Sequence, residues 1–136
     1  MSEVIVLDTH IWIWFINQEF ERFPAHWRDA IEISEVVGVS PVSCYEVALA
    51  QQRGRLQLPC TTESWLQEAL EPSGITLFPI TAQIAYKAVN LSPVHKDPFD
   101  RLIIATTLVY KAKLASIDGL FSQYSELDTY LMKKTP

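Results

Sequence analysis

Glycine is scarce in this chain, four residues in 136, and neither G-x-x-x-x-G-K-[ST] nor G-x-G-x-x-G occurs. A nucleotide cradle is therefore not expected, because backbone N–H groups close on a phosphate only where side chains are missing. The G-x-S-x-G elbow of serine hydrolases is absent too. Two cysteines, Cys44 and Cys60, make no C-x-x-C pair and are too few for a disulfide framework, so both read as reduced and structural. His10, His26 and His95 are scattered, with no H-E-x-x-H or Cys/His zinc pattern. The longest strongly apolar stretch, Leu102 to Tyr110, falls far short of the ~20 residues that span a bilayer. No basic segment followed by a cleavable apolar one opens the chain. Ser2 and Glu3 lead straight into a strand-like run, and a cytoplasmic location is expected. Excess positive charge is lacking as well: sixteen acids against eleven Lys and Arg give a net charge of −5. That argues against a broad basic face. It leaves room for a local basic rim, for which Arg53, Arg55, Lys96, Arg101, Lys111 and Lys113 are candidates.

What is present is a globular composition, 49% apolar and 20% charged, in a length that suits one domain spanning 1–136. Strand-like and helix-like segments alternate with short connections, the pattern of an α/β domain around a parallel sheet. Val4 to Leu7 is a continuous apolar run of strand length, followed by a nearly all-apolar helix holding Trp12, Trp14 and Phe15. Such a helix belongs to the core or to a contact between copies. Pro24 to Ile33 reads as an amphipathic helix and Val36 to Ser40 as the second strand. Ser43-Cys44-Tyr45-Glu46 matches the S-x-x-E capping box at a third helix start. A further helix is expected from Thr62 to Leu70, a strand over Ile75–Ile80 and a helix from Thr81 to Asn90. Asp97-Pro98 then opens a helix running to about Lys113, with Asp97 as cap, and Leu114 to Ile117 is the last strand.

Four carboxylates stand out against this order: Asp8, Glu46, Asp100 and Asp118. Asp8 and Asp118 each close a strand, Glu46 lies just past another, and Asp100 opens a long helix. In an open parallel sheet these places share the carboxyl edge of the strands, where ligands bind. Each acid also has a structural explanation: Asp8 as a helix cap, Glu46 as half of a capping box, Asp100 in a favourable first turn, Asp118-Gly119 as a turn. Together they point further. Converging carboxylates repel unless a divalent cation holds them, and hard cations such as Mg²⁺ or Mn²⁺ prefer charged oxygen. His10 and His95 flank the same region and read as structural.

With Val6-Leu7-Asp8-Thr9-His10, Ser43-x-x-Glu46, His95-x-Asp97-Pro98-Phe99-Asp100-Arg101 and Ser116-Ile117-Asp118 in that order, the chain resembles PIN-domain proteins over nearly its whole length. More narrowly it resembles the VapC toxins of toxin–antitoxin pairs. The resemblance implies a three-layer α/β/α sandwich and a Mg²⁺- or Mn²⁺-dependent endoribonuclease acting on structured RNA such as tRNA or rRNA. It implies Asp8, Glu46, Asp100 and Asp118 as the catalytic and metal-holding quartet. Thr9 and Ser116 match the hydroxyl positions beside it, and Asp97 and Arg101 are candidates for supporting or substrate-binding roles. A homodimer, a VapB-type antitoxin and an RNA substrate are the implied partners, with no membrane. One or two ions, ~3.5–4 Å apart if two, would activate water for in-line attack, leaving a 5′-phosphate and a 3′-hydroxyl. The competing reading is a non-catalytic PIN-like module that binds RNA or protein.

Overall fold

The computed structural model describes residues 3–136; Met1 and Ser2, where the expectation about the amino-terminal segment begins, lie outside them. Among the described residues, four strands form one sheet: β1 (Val4–Leu7), β2 (Val36–Val39), β3 (Ile75–Leu77) and β4 (Lys113–Ala115). All pairings are parallel and the order is β3-β2-β1-β4. Six α-helices connect and cover them: α1 (Thr9–Ile16), α2 (Ala25–Ile33), α3 (Pro41–Gln52), α4 (Thr62–Glu68), α5 (Ala82–Val89) and α6 (Pro98–Val109).

Parallel strands need cover on both faces, and β1 shows how the sequence supplies it. Ile5 and Leu7 enter one apolar core with Trp12, Trp27 and Trp65, whereas Val6 enters another with Ile103, Ile104, Phe121 and Leu127. The two-residue alternation of a strand thus serves two helical layers, giving the three-layer α/β/α sandwich. Gly38 in β2 is required by close approach. A Cβ there would stand 2.4 Å from the Thr76 carbonyl oxygen and 2.6 Å from the Phe78 ring.

Several boundaries differ from the sequence expectation, each for a local reason. The third strand pairs only over Ile75–Leu77, with one further bond from the Phe78 N–H to the Val39 carbonyl at 2.9 Å. Pro79 has no N–H to extend the ladder. Helix α3 starts earlier than Ser43: Ser40 is its cap, accepting from the Val42 N–H, and Pro41 fills the first helical position. The expected Ser43–Glu46 capping box is therefore not formed, and both side chains are released for other partners. Helix α6 ends at Val109, and Lys111 adopts a left-handed φ of 51° as the chain turns into β4. Lys111 and Lys113 consequently sit at the amino edge of the sheet, where the Lys113 Nζ donates to the Thr129 carbonyl. They do not belong to a rim at the carboxyl edge. No helix among the described residues is long and apolar enough to cross a membrane.

Candidate active site

The strand order places the chain's change of direction at β1. Strands β2 and β3 build outward on one side of it, and β4 returns to the other. A crevice opens where such connections diverge, at the carboxyl ends of β1 and β4. Asp8 leaves β1 at this point, and its N–H donates to the Ala115 carbonyl of β4 at 2.9 Å. The adjoining residues of β4 bring Ser116 and Asp118 to the same place.

Asp8 is both cap and pocket residue. One carboxylate oxygen accepts from the Thr9 N–H at 2.8 Å, opening α1, and the other accepts from the Ser116 hydroxyl at 2.7 Å. Ser116 in turn accepts from the Asp118 N–H. Thr9 Oγ1 donates to Glu46 at 2.6 Å, which leaves Ser43 Oγ, 2.8 Å away, to donate to Thr9. Buried Ser43 thus supports Glu46 through Thr9 rather than through a helix cap. Asp97 caps α6, accepting from the Phe99 N–H at 3.0 Å, and so sets the helical turn from which Asp100 projects. Asp100 Oδ2 lies 3.1 Å from His95 Nε2, and Asp118 accepts from the Leu120 N–H.

Burial is the first cause of raised pKa values at three of these acids. Asp8 is pushed up by burial against the opposing bonds from Ser116 and Thr9, with the charge of Asp118 adding to the rise. Glu46 is pushed up by burial and then by Asp100, Asp8 and Asp97, against the bond from Thr9. Asp100 rises from 3.8 to about 6, through burial first and then the charges of Asp97, Asp8 and Asp118, against the His95 bond. Negative charge is thus costly at Asp8, Glu46 and Asp100, and the charge of Asp118 adds to that cost at Asp8 and Asp100.

As the side chains stand, no three Asp, Glu, His or Cys groups among the described residues are gathered closely enough to hold an ion. Each carboxylate is held instead by its own hydrogen bond. The donor set nonetheless fits a hard divalent cation: it offers mutually repelling charged oxygens, without sulfur and with two neighbouring imidazoles, His10 and His95.

A raised acid pKa makes the folded state bind protons that the unfolded chain releases. Without divalent ions, the protein is therefore expected to lose stability as pH rises from about 4 to about 6, and to level off above. Urea melts in EDTA across that range measure it; stability rising with pH over the same window would contradict the placement of Asp100.

Of the two roles considered for Arg101, its hydrogen bonds suit the supporting one and not a phosphate contact. Its guanidinium donates to the carbonyls of Ala88, Val89, Leu91, Ser92 and His95 and to the Tyr124 hydroxyl. With its donors committed to the end of α5, the loop after it and Tyr124, it has none left for a phosphate. Arg53 and Arg55 do line a cleft of about 910 Å³ with Thr9, His10, Arg22 and Glu46, the one member of the quartet on its wall. Lys96 lies on a separate groove. Two contributors escaped the sequence reading, Ser43 in this connection and Tyr124, while His95 was placed beside the site as a structural residue. His95 carried a signal, lying five residues before Asp100; nothing local marks Tyr124.

A doubly wound parallel sheet with an acidic crevice at its switch point defines the class of this protein. The PIN-domain family model matches residues 5–127. Ribonuclease VapC22 of Mycobacterium tuberculosis (strain ATCC 25618 / H37Rv) is 33% identical over 115 residues, 84% of this chain and 86% of that relative. The chain belongs to the PIN-domain family and is of the VapC type. Solved structures share the fold. The VapBC2 structure from Rickettsia felis, bound to a DNA fragment from their promoter, matches with a TM-score of 0.68 and 14% identity, over 95% of this chain and 97% of that one. FitAcB from Neisseria gonorrhoeae gives a TM-score of 0.61 at 21% identity, over 96% of this chain and 97% of that one.

Proposed function

We propose that this chain is a Mg²⁺- or Mn²⁺-dependent endoribonuclease that cuts structured RNA, tRNA or rRNA, as the toxin of a toxin–antitoxin pair. The observation that carries the reading is the meeting of Asp8, Glu46, Asp100 and Asp118 in one field at the β1/β4 crevice, beside the Thr9 and Ser116 hydroxyls. The ribonuclease name of its VapC22 relative supports the same chemistry. One or two bound cations would supply a nucleophilic water at neutral pH and would offset charge on the phosphate.

The chain's own residues have separable tasks. Asp8 and Asp100 would hold the ion directly, and Glu46 and Asp118 would act mainly through water. Ser116 and the Thr9 N–H fix the Asp8 carboxylate from two sides, and the Thr9 hydroxyl turns Glu46 inward. Arg53 and Arg55 draw backbone phosphates to the cleft, a contact that positions RNA without reading its sequence. Water attacks in line, so the products carry a 5′-phosphate and a 3′-hydroxyl and the RNA 2′-hydroxyl takes no part. The whole chain acts as one domain, in the cytoplasm, as a homodimer. A VapB-type antitoxin inhibits it by placing an Arg or Lys among the acids while its apolar residues cover nearby helices. Relatives of the same fold come from structures of toxin–antitoxin complexes.

Purified protein incubated with total tRNA and rRNA tests this reading. Discrete fragments are expected with Mg²⁺ or Mn²⁺ and none in EDTA. RNA bound but left whole under every metal condition would instead favour a non-catalytic binding module.

A further inference from the structure

Asp100 is held by a longer chain of groups than its three partners. Resting on the reading of Asp100 as an ion-holding carboxylate, we propose that Arg101, Tyr124 and His95 form a one-directional hydrogen-bond relay that fixes it in place. Tyr124 and His95 are its positioning residues, and neither touches the reacting atoms.

The direction follows from the chemistry of the two ends. A guanidinium only donates, so at 3.2 Å the Tyr124 oxygen accepts from Arg101 Nη1. The single tyrosine proton is then free for His95 Nδ1, 2.5 Å away. A ring accepting at Nδ1 carries its proton on Nε2, and Nε2 lies 3.1 Å from Asp100 Oδ2. An ionised carboxylate only accepts. Only the Nε2–H tautomer of a neutral His95 satisfies every member.

The anchor is rigid. Tyr124 is fully buried, in a core shared with Phe121 and Leu127, and its ring meets His95 edge-on at 5.5 Å. Arg101 also donates to the His95 carbonyl at 3.0 Å, so the histidine is held by backbone as well as ring. The short turns after β4 are thereby made part of the site. Groups behind a metal ligand set its orientation and basicity, and their loss costs about 10–100-fold in metal affinity or activity.

The test combines ¹⁵N-histidine NMR at pH 8 with Mn²⁺ titration calorimetry and cleavage kinetics. In the wild type, His95 is expected as the Nε2–H tautomer. Tyr124→Phe keeps the buried ring and removes only the hydroxyl. It is expected to mix the tautomers, weaken Mn²⁺ binding about tenfold and lower kcat about tenfold, with KM for RNA unchanged. His95→Gln, whose amide can still donate to Asp100, should retain more Mn²⁺ affinity than His95→Ala. That pair decides the matter if Tyr124→Phe fails to fold. An Nδ1–H tautomer in the wild type, or wild-type Mn²⁺ affinity in Tyr124→Phe or His95→Ala, would overturn the relay. A wild type that neither binds Mn²⁺ nor cuts RNA, yet shows the Nε2–H tautomer, would sink the metal reading and with it the relay's purpose, leaving the hydrogen-bond order intact.

Discussion

Asp100→Asn and Asp8→Asn are each expected to lower RNA cleavage by on the order of 10³-fold, the scale of losing a group that stabilises transition-state charge. Circular dichroism should be unchanged. The metal-free fold should be at least as stable as the wild type, because each substitution removes a charge that burial and neighbouring acids oppose. For Asp100, the rise from 3.8 to about 6 corresponds to at most on the order of 3 kcal/mol at neutral pH. Since other carboxylates relax when one is neutralised, a gain of a few degrees in Tm is the realistic expectation. The opposed signs are what make the pair informative. A damaged protein loses activity and stability together, whereas removal of an ion-holding acid loses one and gains the other. Thermal melts in EDTA beside single-turnover cleavage measure both, and full activity in either variant would dismiss the quartet.

The largest effect on stability is expected at Trp12. Replacing it with Ala should cost about 3–5 kcal/mol, as for other fully buried aromatic side chains. Trp12 is fully buried, its ring meets Trp65 edge-on at 5.0 Å, and its indole N–H donates to the Ala69 carbonyl at 2.9 Å. Truncation therefore opens a cavity and leaves a buried carbonyl without its donor. Trp14→Ala should cost much less, because Trp14 is only half-buried on the wall of the cleft beside Arg22. Urea unfolding of the two variants makes the comparison; equal losses would mean that α1 is packed in another rotation.

That contrast shows what the residues of α1 could and could not reveal. An almost wholly apolar helix declares that it must be covered, but it has no polar face from which to read its rotation. The residues of α1 therefore did not tell which of Trp12, Trp14 and Phe15 the core would take. Trp12 belongs to the core, and Trp14 and Phe15 lean against it. The large apolar side chains left most exposed include Tyr86 and Val89 on α5 and Ile33 at the end of α2.

The acids were legible for the opposite reason. Asp8, Asp100 and Asp118 sit next to apolar runs whose period and length fix strands and helices, so their shared edge followed from topology. Asp97-Pro98 likewise announced its helix, because proline suits only the first turn. Glu46 was placed by its position just past β2, and its alternative explanation as half of a capping box fails. Its S-x-x-E pattern is present, yet the serine that caps the helix is Ser40, and Ser43 serves Thr9. Tertiary partners were out of reach of any local pattern. Arg101 looked free because its carbonyl partners carry no sequence signature. The tyrosine behind His95 lies 29 residues further along, in a turn that no periodicity marks.

RNA ends mapped after brief expression of the wild type and of Asp8→Asn will show whether the acids cut RNA. If the acidic quartet cuts RNA by metal-assisted attack of water, new 5′-phosphate ends will appear at discrete positions in a structured RNA and be absent with Asp8→Asn. The same ends should form in vitro with Mg²⁺ or Mn²⁺ and vanish with EDTA. Identical ends from both proteins, or ends carrying a 5′-hydroxyl and a 2′,3′-cyclic phosphate, would contradict it.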